Sequence, residues 1–313
     1  MAEKWIFDND GGCDDTYALI LGLSQPEKFA IICITVVSGN VVVDTAAKAM
    51  AKALEVCKAK IPIYLGAKEG LIEEEHPIHE IHGTDGQGDA PEYSKMEGYV
   101  DCIHKEMHAA EMIVKLANEN AGNISIVATG PLTNIALALK LDPSIAKKFK
   151  RIVCMGGAHH AKGNTTWATE YNFYCDPEAA QICIKKVPYI EIITVENGVE
   201  FPLSIEDQTK WHNIGTVKGH FLHCISRNKL AKFGRLYLFD AIAMAVAMNP
   251  SVISKSVKML CKVEIHGSMT RGTLLINWWG HKTDVTQEVP QTTIVMNTDP
   301  KAVMQMVIES TNK

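Results

Sequence analysis

The chain has no apolar run near the roughly 18 consecutive residues that a membrane-spanning helix needs. Its opening stretch, MAEKWIFDND, carries charge where a secretory signal needs its hydrophobic segment, so the expectation is a cytoplasmic protein without a membrane partner. An excess of basic residues is also lacking: 31 Lys and Arg against 36 Asp and Glu leave a net charge of −5, which argues against nucleic acid as a ligand. No C-x-x-C pair occurs among the nine cysteines, whose odd number and scatter suit reduced thiols better than a disulfide framework. Neither G-x-x-x-x-G-K-[ST] nor a strand-borne G-x-G-x-x-G is present, which excludes the usual nucleotide-cofactor loops. What remains is a globular chain of 313 residues, 47% hydrophobic, able to bury one full core and to act on a small molecule.

Short apolar runs at Trp5–Phe7, Phe29–Val37, Ile124–Val127, Ile152–Met155 and Ile190–Val195 read as buried strands. Between them, Asp14–Leu23, Val43–Lys58, Ala109–Glu119, Pro131–Leu139 and Pro177–Lys186 repeat apolar residues at spacings of three and four, as helices do. The alternation predicts a single α/β domain, a Rossmann-like open and mostly parallel sheet flanked by helices. Runs at Val257–His266, Arg271–Trp279 and Thr292–Met296 predict an antiparallel C-terminal extension. Two long interruptions, Gly66–Lys105 and Glu196–Arg235, are candidate lids.

In such sheets ligands sit at the carboxyl ends of the strands, where this chain reads DNDGGCDD, VVSGN, ATGPLTN and MGGAHHAKGN. A period of two places Asp8 and Asp10 on one strand face, and the Gly11-Gly12 turn brings Asp14 and Asp15 into the first turn of the next helix. Four carboxylates then converge, and a helix N-terminus worth about 0.3–1 kcal/mol per charge does not keep several ionised. A bound cation resolves the repulsion, and all-oxygen ligands select calcium or magnesium over zinc or copper. Asp240, directly before the apolar run AIAMAVAM, is a further acid that reads either as a helix cap or as a ligand.

With these residues collected, the chain resembles the inosine-uridine type nucleoside hydrolases over nearly its whole length. DNDGGCDDT is similar to the family's amino-terminal signature, VVSGN to its asparagine after the second strand, and VATGPLTNIALAL to its central signature. MGGAHHAKGNTTWATEYNFYCDPEAA is similar to its ribose-binding block. The resemblance implies calcium-dependent hydrolysis of the N-glycosidic bond of a ribonucleoside by a homodimer or homotetramer. It implies that Asp10, Asp15, the backbone carbonyl of Thr129 and Asp240 hold the ion, and that Asp10 takes a proton from the attacking water. Asp14 and Asn40 would bind the 2′ side of the ribose, Asn172 its 3′-hydroxyl, Asn164 with Glu170 its 5′-hydroxyl, and Met155 would pack against the sugar.

The chain departs from the family where a histidine commonly precedes the aspartate at Asp240: here Phe239 stands, and phenylalanine donates no proton. His82, in IHGTDGQGD, is similar to the histidine of the family's H-G-x-x-G loop and is the leading substitute; Tyr237, or stacking of the base by Phe239 or the Trp278-Trp279 pair, are others. Cys13 reads as filler beneath the metal or as a reactive thiol at a helix N-terminus. The histidines at positions 76, 79 and 82 and at 104 and 108 lack the ligand frame of a zinc site, and His159 and His160 are candidates for the pocket rim. Two rival functions follow from the same residues. Asp8-Asn9-Asp10-Gly11-Gly12 is similar to the nucleophile loop of haloacid dehalogenase-like phosphatases, which would make the protein a magnesium-dependent phosphohydrolase. Loss of the histidine at Phe239 suits instead a catalytically weak homologue that binds nucleosides.

Overall fold

A computed structural model describes residues 2–312 apart from 73–76, 201, 205, 208, 210–214 and 282–289. Its first half runs β1 (Glu3–Asn9), α1 (Cys13–Gly22), β2 (Phe29–Val36), α2 (Val43–Cys57), β3 (Ile63–Leu65), α3 (His79–His82), β4 (Ile103–His104), α4 (Ala109–Glu119), β5 (Ile124–Ala128) and α5 (Thr133–Leu141). The second half continues with β6 (Phe149–Met155), α6 (Tyr171–Cys175), α7 (Pro177–Lys186), β7 (Ile190–Ile193), α8 (Glu196–Val199), α9 (Val217–Phe233) and α10 (Phe239–Met248). It closes with β8 (Ile253–Met259), β9 (Cys261–Val263), β10 (Leu274–Ile276), β11 (Thr292–Thr298) and α11 (Pro300–Thr311).

Nine strands form one sheet in the order β4-β3-β2-β1-β5-β6-β7-β11-β8, parallel except where β8 runs against β11. The chain steps outward from β1 through β2, β3 and β4, then returns to the other side of β1 with β5. The crevice between β1 and β5 is therefore the switch point at which open α/β sheets bind ligands. Strand alternation divides the core. Trp5, Phe7, Val127 and Val153 face a cluster shared with α1, α2 and α10, whereas Ile6, Ile126, Ile152 and Ile192 face one shared with α4, α5 and α7. Burial on both faces explains why these strands read as unbroken apolar runs.

The antiparallel extension is present but divided. The expected strand at 257–266 breaks at Leu260 into β8, on the edge of the main sheet, and β9, which pairs with β10 as a separate hairpin. Trp278 and Trp279 lie beyond β10, and Trp279 is 87% exposed, so the pair belongs neither to a strand nor to the core. The interruptions expected as lids carry regular structure where described: α9 spans 17 residues of the second. In the first, the buried Gln87 donates to Thr16 Oγ1 at 3.1 Å and to the Ala49 carbonyl at 2.9 Å, which fastens the 83–89 turn to α1 and α2.

Candidate active site

Register brings the four informative strand ends to one level. Asp8 pairs with Thr35 and with Ala128, and Ala128 with Cys154, so the chain leaves β1, β2, β5 and β6 side by side. The sheet ladder reaches one bond further on each flank of β1: Val37 N–H donates to the Asn9 carbonyl at 2.9 Å and Thr129 N–H to the Asp8 carbonyl at 2.8 Å. Asp10 and Thr129 follow directly from these ends, Met155 is the last residue of β6, and Asn40 lies in the turn beyond β2.

Asp10 is held on both oxygens by Asn40, whose backbone N–H donates to Oδ2 and whose Nδ2 donates to Oδ1, each at 2.8 Å. Gly39 makes this approach possible, since a Cβ there would lie 2.2 Å from Asp10 Oδ2. The chain then reverses through Gly11, at φ +77°, where side chains are strained. Asp15, on the first turn of α1, accepts from Gly12 N–H at 2.7 Å and from Thr129 Oγ1 at 2.5 Å, which joins β1, α1 and the end of β5.

Asp10, Asp15 and Asp240 are buried, and their electrostatics are linked. Burial and then the neighbouring Asp15 push Asp10 well above the usual carboxylate range. Burial lifts Asp15 to about 6 against the pull of its hydrogen bonds. Burial, then the charges of Asp14, Asp15 and Asp10, raises Asp240. Asp240 is the second residue of α10; Leu238 occupies the cap position, so Asp240 does not cap the helix as its neighbours in sequence suggested. Among the described residues no three His, Cys, Asp or Glu side chains stand in the arrangement of a formed metal site.

Asp8 is not part of this group. It lies in phase with Ile6 and turns toward α5, where Thr35 Oγ1 and Asn134 Nδ2 donate to its Oδ1 at 2.5 and 2.8 Å. The two-residue periodicity does not extend to Asp10, because β1 ends at Asn9. A caged, fully buried Asp8 offers no nucleophile to a phosphate ester, which removes the geometric basis of the phosphohydrolase reading.

His82 ends α3 against the start of α1. Its Nδ1 accepts the Cys13 backbone N–H at 3.1 Å, which leaves the proton of the neutral ring on Nε2. Burial, then the charge of Lys229, pushes its pKa well below the usual histidine value, so His82 is a hydrogen-bond donor without charge. Asp14 Oδ1 stands 3.7 Å from Nδ1 and, although buried, has no hydrogen-bond donor. Cys13 is filler: burial raises its thiol to about 12, and Sγ contacts the Ile225 carbonyl at 3.4 Å.

On the far side of the crevice, Glu170 caps α6. Its Oε1 accepts from Asn172 N–H at 2.9 Å, and Oε2 from Gly157 and Phe173 N–H at 2.8 and 3.2 Å; burial nevertheless lifts its pKa to about 7. Asn172 Nδ2 donates to the carbonyls of Thr129 at 2.9 Å and Met155 at 3.1 Å, orienting the one and fixing the end of β6 with the other. Asn164 is exposed and accepts Tyr171 N–H at 2.9 Å. Phe239, partly buried, stacks on Tyr237 with ring centroids 5.4 Å apart and presses on Gly198. His159 reaches Glu196 Oε2 at 3.1 Å and Thr194 Oγ1 at 2.6 Å, a buried pair behind the end of β6.

Of the remaining histidines, His104 pairs with Glu106 at 2.8 Å and His108 caps α4, while His76 lies outside the described residues. Sequence reasoning passed over Asn134, Lys229 and Glu196. Asn134 was legible only as part of the GPLTN motif, and the other two lie in a segment without apolar periodicity.

Comparison with known proteins accords with this geometry. The profile of the inosine-uridine preferring nucleoside hydrolase family matches residues 5–305. Uridine nucleosidase 1 of Arabidopsis thaliana is 32% identical over 291 residues, covering 87% of this chain and 82% of that protein. A pyrimidine-specific ribonucleoside hydrolase of Salmonella paratyphi B is 29% identical over 321 residues, covering 99% and 98%. Among solved structures, an inosine-guanosine nucleoside hydrolase superposes with a TM-score of 0.90 at 30% identity over 99% of both chains. The chain thus belongs to the inosine-uridine preferring nucleoside hydrolase family and is a hydrolase of the N-glycosyl bond of ribonucleosides.

Proposed function

We propose that the protein is a calcium-dependent ribonucleoside hydrolase of cytoplasmic nucleoside salvage or catabolism, working as a homodimer or homotetramer. The observation that supports the ion is the crowding of Asp10, Asp14, Asp15 and Asp240, all at most 5% exposed, with one buried oxygen of Asp14 lacking any donor. Without a counter-charge such groups hold protons; with a hard divalent cation they ionise. The donor set is all oxygen, and Gly39 and Gly130 bring backbone rather than bulk against Asp10, so these residues fit calcium. Asp10, Asp15, Asp240 and the Thr129 carbonyl would hold it, where it supplies Lewis acidity toward water and fixes the sugar diol.

The chain's own groups account for the rest. Asp14 Oδ1 accepts the 2′-hydroxyl beside Asn40, Asn172 Oδ1 takes the 3′-hydroxyl, and Asn164 with Glu170 takes the 5′-hydroxyl. Met155 packs beneath the ring. Asp10, aligned by Asn40, removes a proton from water attacking C1′ as the C1′–N bond breaks and its electron pair passes to the base. Positive charge developing on the ribosyl ring is met by the surrounding carboxylates, as in other glycosyl transfers. His82 offers Nε2–H toward the departing base, and Phe239 supplies an aromatic face.

Incubation of the calcium-loaded protein with a panel of ribonucleosides, assaying free base and ribose, tests this reading. Release of both products, abolished by chelator and restored by calcium, is expected. Release of phosphate from a nucleotide without free base, or full activity in chelator, would overturn it.

A further inference from the structure

Two lysines are buried among the described residues, Lys52 at 9% exposure and Lys229 at 8%. Lys52 has a counter-charge, Asp85 Oδ2 at 3.6 Å. Lys229 has neither an ion-pair partner within 4.0 Å nor a hydrogen bond among the described residues, and its stem is buried while its ammonium keeps a little contact with solvent. Its neighbour Lys232 shows the ordinary solution, with an exposed stem and Nζ on the Glu80 carbonyl at 3.1 Å.

Helical spacing shows where Lys229 points. On α9, Leu222 and Ser226 meet Tyr17, whose hydroxyl lies 2.7 Å from Ser226 Oγ, and the Ile225 carbonyl meets Cys13 Sγ. Asn228 Nδ2 binds the Gly88 carbonyl at 2.8 Å. Position 229, three and four residues beyond Ser226 and Ile225, continues this face over the start of α1 and the turn that carries His82. Its positive charge acts on Cys13, His82 and Asp240. In the proposed pose the sugar lies between the carboxylates and the Glu170–Asn172 block, so this side of the crevice receives the base.

We propose that Lys229 recognises the base and stabilises its departure, its ammonium donating hydrogen bonds to the O6 and N7 edge of a 6-oxopurine. This rests on the ribohydrolase reading and deepens it by naming a substrate class. An ammonium has three donors and no acceptor. The 6-oxopurine edge presents two acceptors, O6 and N7, whereas adenine presents a donor amino group beside N7, which repels the ammonium. When the C1′–N9 bond breaks, its electron pair enters the purine ring and raises negative charge at N7 and O6. Lys229 meets that charge without having to lose its proton. A neutral His82 supplies a donor but no charge, and Phe239 supplies neither, so the cation fills the role left open by the missing histidine.

The test compares inosine, adenosine and p-nitrophenyl riboside, whose leaving group is a stable anion, in the calcium-loaded wild type, Lys229→Met and Lys229→Arg. The wild type is expected to favour inosine over adenosine. Lys229→Met is expected to lose about 100-fold or more in kcat/KM on inosine, the scale of leaving-group assistance. It should lose less than about tenfold on adenosine and keep p-nitrophenyl riboside within about threefold, while Lys229→Arg retains most inosine turnover. An equal fall on all three substrates, or a wild-type preference for adenosine, overturns the proposal. If Lys229→Met does not fold, the wild-type ratio and Lys229→Arg still decide. A wild type that hydrolyses no riboside, p-nitrophenyl riboside included, refutes the ribohydrolase reading itself.

Discussion

Substitution of Gly39 by alanine is the most direct probe of the claim that Asp10 works because it is held still. A Cβ at this position would stand 2.2 Å from Asp10 Oδ2, 2.8 Å from its Cβ and 2.9 Å from its Cγ. Non-bonded contacts settle at about 3.5 Å, so the carboxylate must yield by roughly 1 Å. It cannot yield freely, because Asn40 grips both oxygens and Gly130 lies close against the Asp10 Cβ and backbone nitrogen. A displacement of about 1 Å in a reacting group costs on the order of 100-fold in rate, equivalent to about 2.7 kcal/mol of barrier. Overpacking a buried site costs a further 1–3 kcal/mol or so of stability. Initial rates on inosine, a thermal melt and a calcium titration separate the two effects. Gly22→Ala is the control: there the added Cβ meets Ile31 Cδ1 and the end of Met244, flexible side-chain ends rather than a carboxylate. A folded Gly39→Ala protein within about threefold of wild-type activity would refute the reasoning.

Other perturbations follow from the same contacts. A site that engages every ribose hydroxyl is expected to turn over 2′-deoxyinosine about 1,000-fold or more slowly than inosine, and comparable kcat/KM values would contradict it. Calcium should raise the melting temperature in proportion to the logarithm of its concentration above Kd, an effect that Asp15→Asn should largely abolish in calorimetry. Asn134→Leu removes donors from Asp8 and the Val36 carbonyl and the acceptor of Ala67 N–H, and should cost about 2–4 kcal/mol in urea denaturation; a loss under 1 kcal/mol or so would show that the cage is not structural. Burial alone would raise Glu196, but His159 and the His160 N–H hold it down at about 2 from 4.5. A depressed acid stabilises the fold above its unfolded pKa and loses that contribution as pH falls through the folded one. Wild type should therefore exceed Glu196→Gln by about 1–2 kcal/mol at neutral pH, with the gap closing between about pH 5 and pH 2. A gap independent of pH would remove the charge from the account.

The sequence alone determined the alternation of strand and helix, because burial on both sheet faces leaves unbroken apolar runs that local reading detects. It also marked the strand ends, because DNDGG, VVSGN and MGGA place glycine and polar groups where a buried strand has no use for them. Local periodicity could not tell that β1 stops at Asn9, and so it joined Asp8 to a cluster from which Asn134 and Thr35 withdraw it. Nor could it place Lys229, whose meaning depends on which face of α9 meets α1, or Asp240, brought to Asp14 and Asp15 only when α10 packs beside α1. Those decisions belong to tertiary structure, because charge repulsion, desolvation and the lack of a partner are properties of what surrounds a group, and the surroundings here come from segments more than 200 residues apart.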